Sequence, residues 1–238
     1  MTELSQKSVK LILEATDLCT RLAVEGLVID DEGIRGYNDD DGIIVACLGD
    51  QGFEVEAMGL QRLVSLRQKA SLIPDMNDLT VVAEPKKNNP DEISKLVFKT
   101  PKMDFDFRTA ATKSVRDVPS TTMNLKPIFY FDISQEDVAN ITKAASAMRS
   151  KNMTIQGNGS NVKFRFSDDA GDILNFSVDS DLEALGENDN VSLTINLRKM
   201  SPILKMAVQD GNCRLNILKN NIIYMVVGNM DVLVMPEV

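Results

Sequence analysis

Apolar residues along the chain switch between two spacings. Over residues 5–24, Val9, Ile12, Leu13 and Thr16 recur at helical intervals, while Lys10, Glu14, Asp17 and Arg21 fall on another face. This is the pattern of an amphipathic helix. Residues 59–71 read the same way, with Leu60, Leu63, Leu66 and Ala70 on one side. Between the two lie short apolar runs separated by Gly and Asp clusters, at 26–30, 33–37, 42–48 and 52–58. These predict strands joined by turns. Further strands are predicted at 79–84, 93–100 and 103–109, with a turn at 86–92.

Residues 109–127 carry small and polar side chains, two prolines and no clear period. They read as a connector. Its apolar residues stand alone: Val115, Val118, Met123 and Leu125. The order of elements then repeats. A strand at 128–133 leads into a helix at 135–151, with Ser134 as N-cap and Asp137 resembling the partner in a capping box. Strands follow at 153–157, 162–167, 173–179 and 191–197, then a helix at 197–209. Three strands, 213–219, 221–227 and 231–238, close the chain. Val9, Ile12 and Ala15 match Val138, Ile141 and Ala144 at a constant offset of 129. The expected organisation is two similar α+β domains, 1–109 and 128–238, joined by the connector 110–127. Pro202 falls inside the last predicted helix. It is tolerated only near a helix start, so a late start or a kink is expected there.

Composition then narrows the chemistry. The 238 residues include no His, so imidazole catalysis and His-ligated zinc are excluded. Three cysteines, Cys19, Cys47 and Cys213, lack metal-ligand spacing and read as reduced, buried thiols of a cytoplasmic protein. Asp39, Asp40 and Asp41 are consecutive, so their carboxylates diverge and a solvated turn is expected rather than a metal site. No cofactor is expected, and the Glu183/Glu187 pair has nothing that forces it into a pocket. No stretch is long and apolar enough to span a membrane, and residues 1–20 do not read as a signal peptide.

The formal net charge is −9, which argues against binding nucleic acid. Its distribution reverses that argument. The four predicted helices hold twelve Lys and Arg against four Asp and Glu, a net of +8, which leaves −17 for the rest. Exposed helix faces are commonly just solvated. Four basic helices in an acidic chain also suit contacts to phosphates without base reading.

Three segments carry a resemblance to a known family. VKFRFSDDAGDILNFSV (162–178), VSLTINLRKMSPILKMAV (191–208) and NNIIYMVVGNMDVLVMPEV (220–238) resemble DNA polymerase sliding clamps. These are shared by eukaryotes, as proliferating-cell nuclear antigen, by archaea and by large tailed bacteriophages. The short length is similar to the phage members. The resemblance implies two similar clamp domains per chain, each with antiparallel sheets outside and two helices inside. It implies a homotrimeric closed ring that encircles double-stranded DNA without sequence preference, tethers a DNA polymerase and is opened by an ATP-dependent clamp loader. Such a protein is not an enzyme and would act in the cytoplasm, that of a bacterial host if viral.

The same resemblance distributes roles. Lys10, Arg21, Arg62, Lys69, Lys143, Arg149, Lys151, Arg198, Lys199 and Lys205 would face DNA. Tyr37, Ile43, Ile44, Val118, Met123, Leu125, Val234, Met235 and Pro236 would line a pocket for partner peptides, although Ile44 and Val234 read equally well as strand core. Phe105 and Phe107 on one edge, and Leu174 and Phe176 on the other, would join subunits and so cover exposed strand edges. The alternative is a non-enzymatic viral structural or assembly protein, or an acidic DNA mimic.

Overall fold

A computed structural model describes residues 1–48, 57–116, 125–158, 161–178, 182–184, 190–209 and 211–236. They group into two compact units. The first comprises Met1–Asp39, Ile43–Thr121 and Asn229–Asp231; the second comprises Asp40–Gly42, Thr122–Gly228 and Val232–Val238.

Unit 1 begins with β1 (Thr2–Glu3) and α1 (Gln6–Arg21), followed by β2 (Gly26–Asp30), β3 (Gly33–Asn38) and β4 (Ile43–Leu48). After β5 (Met58–Gln61) come α2 (Leu63–Ala70), β6 (Thr80–Lys86), β7 (Asn89–Lys99) and β8 (Asp104–Arg108). The strands form two antiparallel arrays in the orders β1-β6-β7-β8 and β4-β3-β2-β5.

Unit 2 contains β9 (Pro127–Ile133), α3 (Gln135–Ala147), β10 (Asn152–Asn158), β11 (Asn161–Ser167), β12 (Ile173–Val178) and β13 (Leu182–Ala184). It continues with β14 (Asn190–Asn196), α4 (Leu197–Ala207), β15 (Cys213–Leu218), β16 (Ile223–Val227) and β17 (Met230–Val234), whose first two residues group with unit 1. Its arrays run β9-β15-β16-β17 and β12-β11-β10-β14, with β13 added beside β9. Apart from β13, this is the plan of unit 1 strand for strand, so the repeated order read from the sequence extends to the pairing scheme.

Each helix buries the stripe its sequence supplies. Val9, Ile12, Ala15 and Cys19 of α1 are at most 2% exposed, as are Met200, Ile203 and Leu204 of α4. In unit 2 they share the interior with aromatic strands. Phe131 meets Phe129 at 6.2 Å and, edge-on, Phe164 at 6.0 Å between ring centroids. β11 alternates, burying Val162, Phe164 and Phe166 and exposing Lys163, Arg165 and Ser167. Such alternation fixes its register, because a one-residue slip would invert both faces.

Caps set the helix limits. Ser134 and Asp137 form the expected capping box: the Ser134 hydroxyl accepts from the Asp137 N–H, and the Asp137 carboxylate accepts from the Ser134 N–H. α3 stops at Ala147, short of the expected 151, because Arg149 takes a left-handed conformation (φ 48°). The Ser150 N–H then bonds the Ala145 carbonyl and the Arg149 N–H that of Ser146, a Schellman cap. Ala23 (φ 54°) ends α1 in the same way, with the Val24 N–H on the Cys19 carbonyl.

The helix expected over 59–71 starts later. Gly59 and Leu60 belong to β5, paired with Val28 and Leu27, and Gly59 also bridges Ala110. Arg62, left-handed at φ 57°, turns the chain from strand to helix. Pairing with a distant strand overrides a short helical spacing here. α4 does not wait for Pro202. It starts at Leu197 with the Asn196 side chain accepting from the Arg198 N–H, and runs through the proline. The proline nitrogen has no hydrogen to give the Arg198 carbonyl. The predicted strand 52–58 lies outside the described residues except for its end.

Gly157 in β10 faces the buried Phe129 ring, and a Cβ there would meet Phe129 Cζ at 2.5 Å. The ring is fully enclosed and cannot retreat. Gly157→Ala is expected to destabilise the protein by about 1–3 kcal/mol as overpacking, read as a lower urea midpoint at unchanged slope.

Candidate nucleic-acid interface

Within the observed limits the four helices hold nine Lys and Arg against four Asp and Glu. Arg62, Arg149 and Lys151 lie just outside them. The basic side chains fall on the faces turned from the buried stripes. Lys10, Arg21, Arg62, Lys143, Arg149, Lys151, Arg198 and Lys205 are exposed, and Lys69 and Lys199 are half-buried. Sequence reasoning left out Lys7 and Arg67, which are also exposed. Lys7 precedes Lys10 by three residues and so shares its face, a signal present in the sequence.

Three of the four acids on these helices are engaged, and the fourth, Glu136, is exposed in the first turn of α3. Glu14 accepts from both the backbone N–H and the side-chain amide of Asn229, each at 2.8 Å. Asp137 is committed to its cap. Asp17 receives Arg21 Nε at 2.8 Å within α1, and Arg67 Nε at 2.6 Å from α2.

Two of the expected DNA-facing residues also meet the β8 aromatics. The Arg62 guanidinium lies 5.1 Å from the Phe107 ring centre, and Lys69 Nζ lies 5.7 Å from that of Phe105. Phe105 stacks on Phe98 at 4.5 Å, and Phe107 is buried. These aromatics thus point to the interior of unit 1; what β8 offers outward is its backbone and Asp104, Asp106 and Arg108. Leu174 and Phe176 are half-buried on β12. β8 and β12 each stand at the end of a four-strand array.

The expected peptide-pocket residues divide. Ile43, Ile44 and Val234 are 2%, 4% and 1% exposed, so they are strand core and offer no accessible surface as placed. Tyr37, Leu125, Met235 and Pro236 are half-buried. Tyr37 donates to Asp39 at 2.9 Å, and Arg116 pairs with the same carboxylate. Val118 and Met123 lie outside the described residues. Val115 is not a free connector residue. It is 6% exposed and packs where Cβ atoms on Gly26 and Gly59 would sit, 2.8 and 2.6 Å from its methyls.

Among the described residues no cluster of His, Cys, Asp or Glu could hold a metal, and no helix is long and apolar enough to cross a membrane. All three thiols are buried. Burial raises the pKa of each, that of Cys213 to about 11 with Asp132 nearby adding to the shift.

The duplicated arrays, with two helices to each unit, define a fold class: that of the sliding clamps. Two solved structures show the likeness. Proliferating Cellular Nuclear Antigen from Entamoeba histolytica aligns with a TM-score of 0.66 at 16% identity, over 99% of this chain and 98% of its own. The PCNA of A. fulgidus, solved with the C-terminal region of FEN-1 bound, aligns with a TM-score of 0.68 at 13% identity, over 99% and 97%. No protein-family model and no curated protein matches the chain.

The Cys213 thiol gives a pH test. Its ordinary pKa is 9.0 and its folded one about 11, so its neutral form favours the folded state. That contribution is complete below pH 9 and is lost as pH rises through about 11. The urea midpoint is expected to fall more steeply over that window in wild type than in Cys213→Ser.

Proposed function

We propose that this chain is a subunit of a sliding clamp, a non-enzymatic ring that encircles duplex DNA and tethers a polymerase and other partners to it. The observation that carries the reading is the clamp strand order in both units over nearly the whole chain, combined with basic side chains on the exposed faces of the helices. In such a ring the tether is topological. Release requires opening the ring, so phosphate contacts stay weak and non-directional and sliding barriers stay low. Lys10, Lys143, Lys205 and Arg198 are the contacts of choice: all are exposed, and no ion pair holds any of them among the described residues.

Ring closure is proposed as a homotrimer, pairing the outer edge of β8 with that of β12 of the next subunit. Both strands end their arrays, and half-buried Leu174 and Phe176 lie along β12. Partner peptides are proposed to dock near the connector, on Leu125, Met235 and Pro236, with Val118 and Met123 as further candidates. Methionine suits a surface that accepts several partners.

The test is mass and topology. In solution the protein is expected at three times its subunit mass, and after ATP-dependent loading it should remain on circular DNA and slip from linear DNA. Lys143→Glu with Lys205→Glu should lower retention and processivity several-fold while leaving the mass unchanged. A stable monomer without effect on a polymerase would refute the clamp. Intact activity in the double variant would point instead to an acidic protein that binds other proteins.

A further inference from the structure

Among the described residues Asp17 is the one acid on the helices that receives two cations, and they come from different helices. Arg21 reaches it from one turn on in α1, Nε to Oδ2 at 2.8 Å. Arg67 reaches it from α2, Nε to Oδ1 at 2.6 Å. The Asp17 side chain is 39% exposed and those of Arg21 and Arg67 44% and 42%, so the trio sits at the surface. Each oxygen takes one guanidinium through its Nε. The terminal nitrogens of both arginines have no other partner among the described residues. A guanidinium has five N–H donors in a fixed fork, so each keeps donors for a second anion.

We infer that Asp17 joins Arg21 and Arg67 into one phosphate-contacting unit of net charge +1, and thereby limits how tightly unit 1 grips duplex DNA. Arg67, outside the set read from the sequence, becomes a DNA contact, and Asp17 a positioning residue acting through it and Arg21. The inference rests on the clamp reading.

The physical argument has two parts. Holding both arginines on one carboxylate fixes where their free donors point, which lowers the conformational entropy lost when a phosphate arrives. The same carboxylate cancels one of the two charges. Binding driven by counterion release depends on the number of phosphates neutralised, with a log–log salt slope of about −0.9 per phosphate. A trio of +1 therefore contributes less grip than two free arginines. Weak grip suits a tether that must slide, since each strong phosphate contact has to break at every step. The neighbouring acid Glu14 does not substitute for Asp17, because both its oxygens are held by Asn229.

The test is equilibrium binding of the full chain to a short fluorophore-labelled blunt duplex, read by anisotropy over a salt series. Asp17→Asn keeps the shape and removes the charge. It should bind more tightly at every salt concentration, with a slope steeper by about 0.9 per phosphate newly neutralised. Arg67→Gln should give a slope shallower by a similar amount, and Arg67→Lys should restore it. A merely structural bridge would lower the urea midpoint in Asp17→Asn without moving the slope.

An Asp17→Asn slope equal to or shallower than wild type overturns the inference, as does an unchanged slope in Arg67→Gln. Because Arg67→Gln reads the same unit from its exposed side, the test stands even if Asp17→Asn folds poorly. Wild type that binds DNA and is retained on circles while the variants match it removes this inference alone. Wild type with no salt-dependent binding overturns this inference too, while the clamp reading stands or falls on the mass in solution and on retention of loaded protein on circles.

Discussion

Every helix in this protein has one apolar stripe, and the need to bury it decides where the charge goes. Val9, Ile12, Ala15 and Cys19 of α1, and Met200, Ile203 and Leu204 of α4, are closed off almost completely. Each fully buried Leu, Ile or Met side chain contributes about 1.5–3 kcal/mol, whereas an unpaired ammonium or guanidinium cannot follow it into the interior without a far larger penalty. Lys10, Lys143, Arg198 and Lys205 are therefore held on the opposite faces by packing, before any ligand is considered. The basic surface is a by-product of the core in its location; only its composition is free to be tuned.

That constraint also explains what could be read from the sequence. Helix stripes and strand alternation are local, so α1, α3, α4 and the β11 pattern were legible, as was the capping box at Ser134 and Asp137. The repeated order of elements was legible too, because it is only a succession of local signals. The start of α2 was not. Leu60 has helical spacing to Leu63 and Leu66, yet it pairs with Leu27, more than thirty residues away in sequence, and no window around residue 60 contains that partner. Val115 misled for the same reason. Its surroundings are polar in sequence, and the hollow that receives it is made by Gly26 and Gly59. Arg149 gave no warning either, since the left-handed cap it forms is usually made by glycine.

The site follows the same division. That a Lys or Arg is exposed can be read from the helix face it occupies. What it touches cannot, when the partner belongs to another element. Asp17 and Arg21 are visible as an i, i+4 pair in the sequence, but the arrival of Arg67 depends on how α2 packs beside α1. The sequence marks Arg62 and Lys69 only as basic residues of a helix; the Phe107 and Phe105 rings beside them come from β8. Ile43, Ile44 and Val234 show the converse. Alternating strands offer every second residue to each face, and the sequence does not say which faces are covered by other elements.

The overall charge of −9 is then a poor guide to what the protein can bind. At physiological ionic strength the Debye length is about 8 Å, so exposed charges further apart than that act almost independently. A phosphate at the surface of α1 or α4 responds to the side chains around it and not to aspartates in distant turns. Three of the four helix acids that could oppose it locally have other partners: Asp137 its helix cap, Glu14 the amide groups of Asn229, and Asp17 two arginines at once. The first two form no ion pair with an arginine or lysine among the described residues, although each keeps its negative charge, and the third cancels one charge of two. An acidic chain can in this way present basic helix faces whose local strength differs from helix to helix, reduced where α1 and α2 meet by the charge of Asp17. The field that matters is set by a few neighbours within a Debye length, and those neighbours are fixed by the packing of the helices.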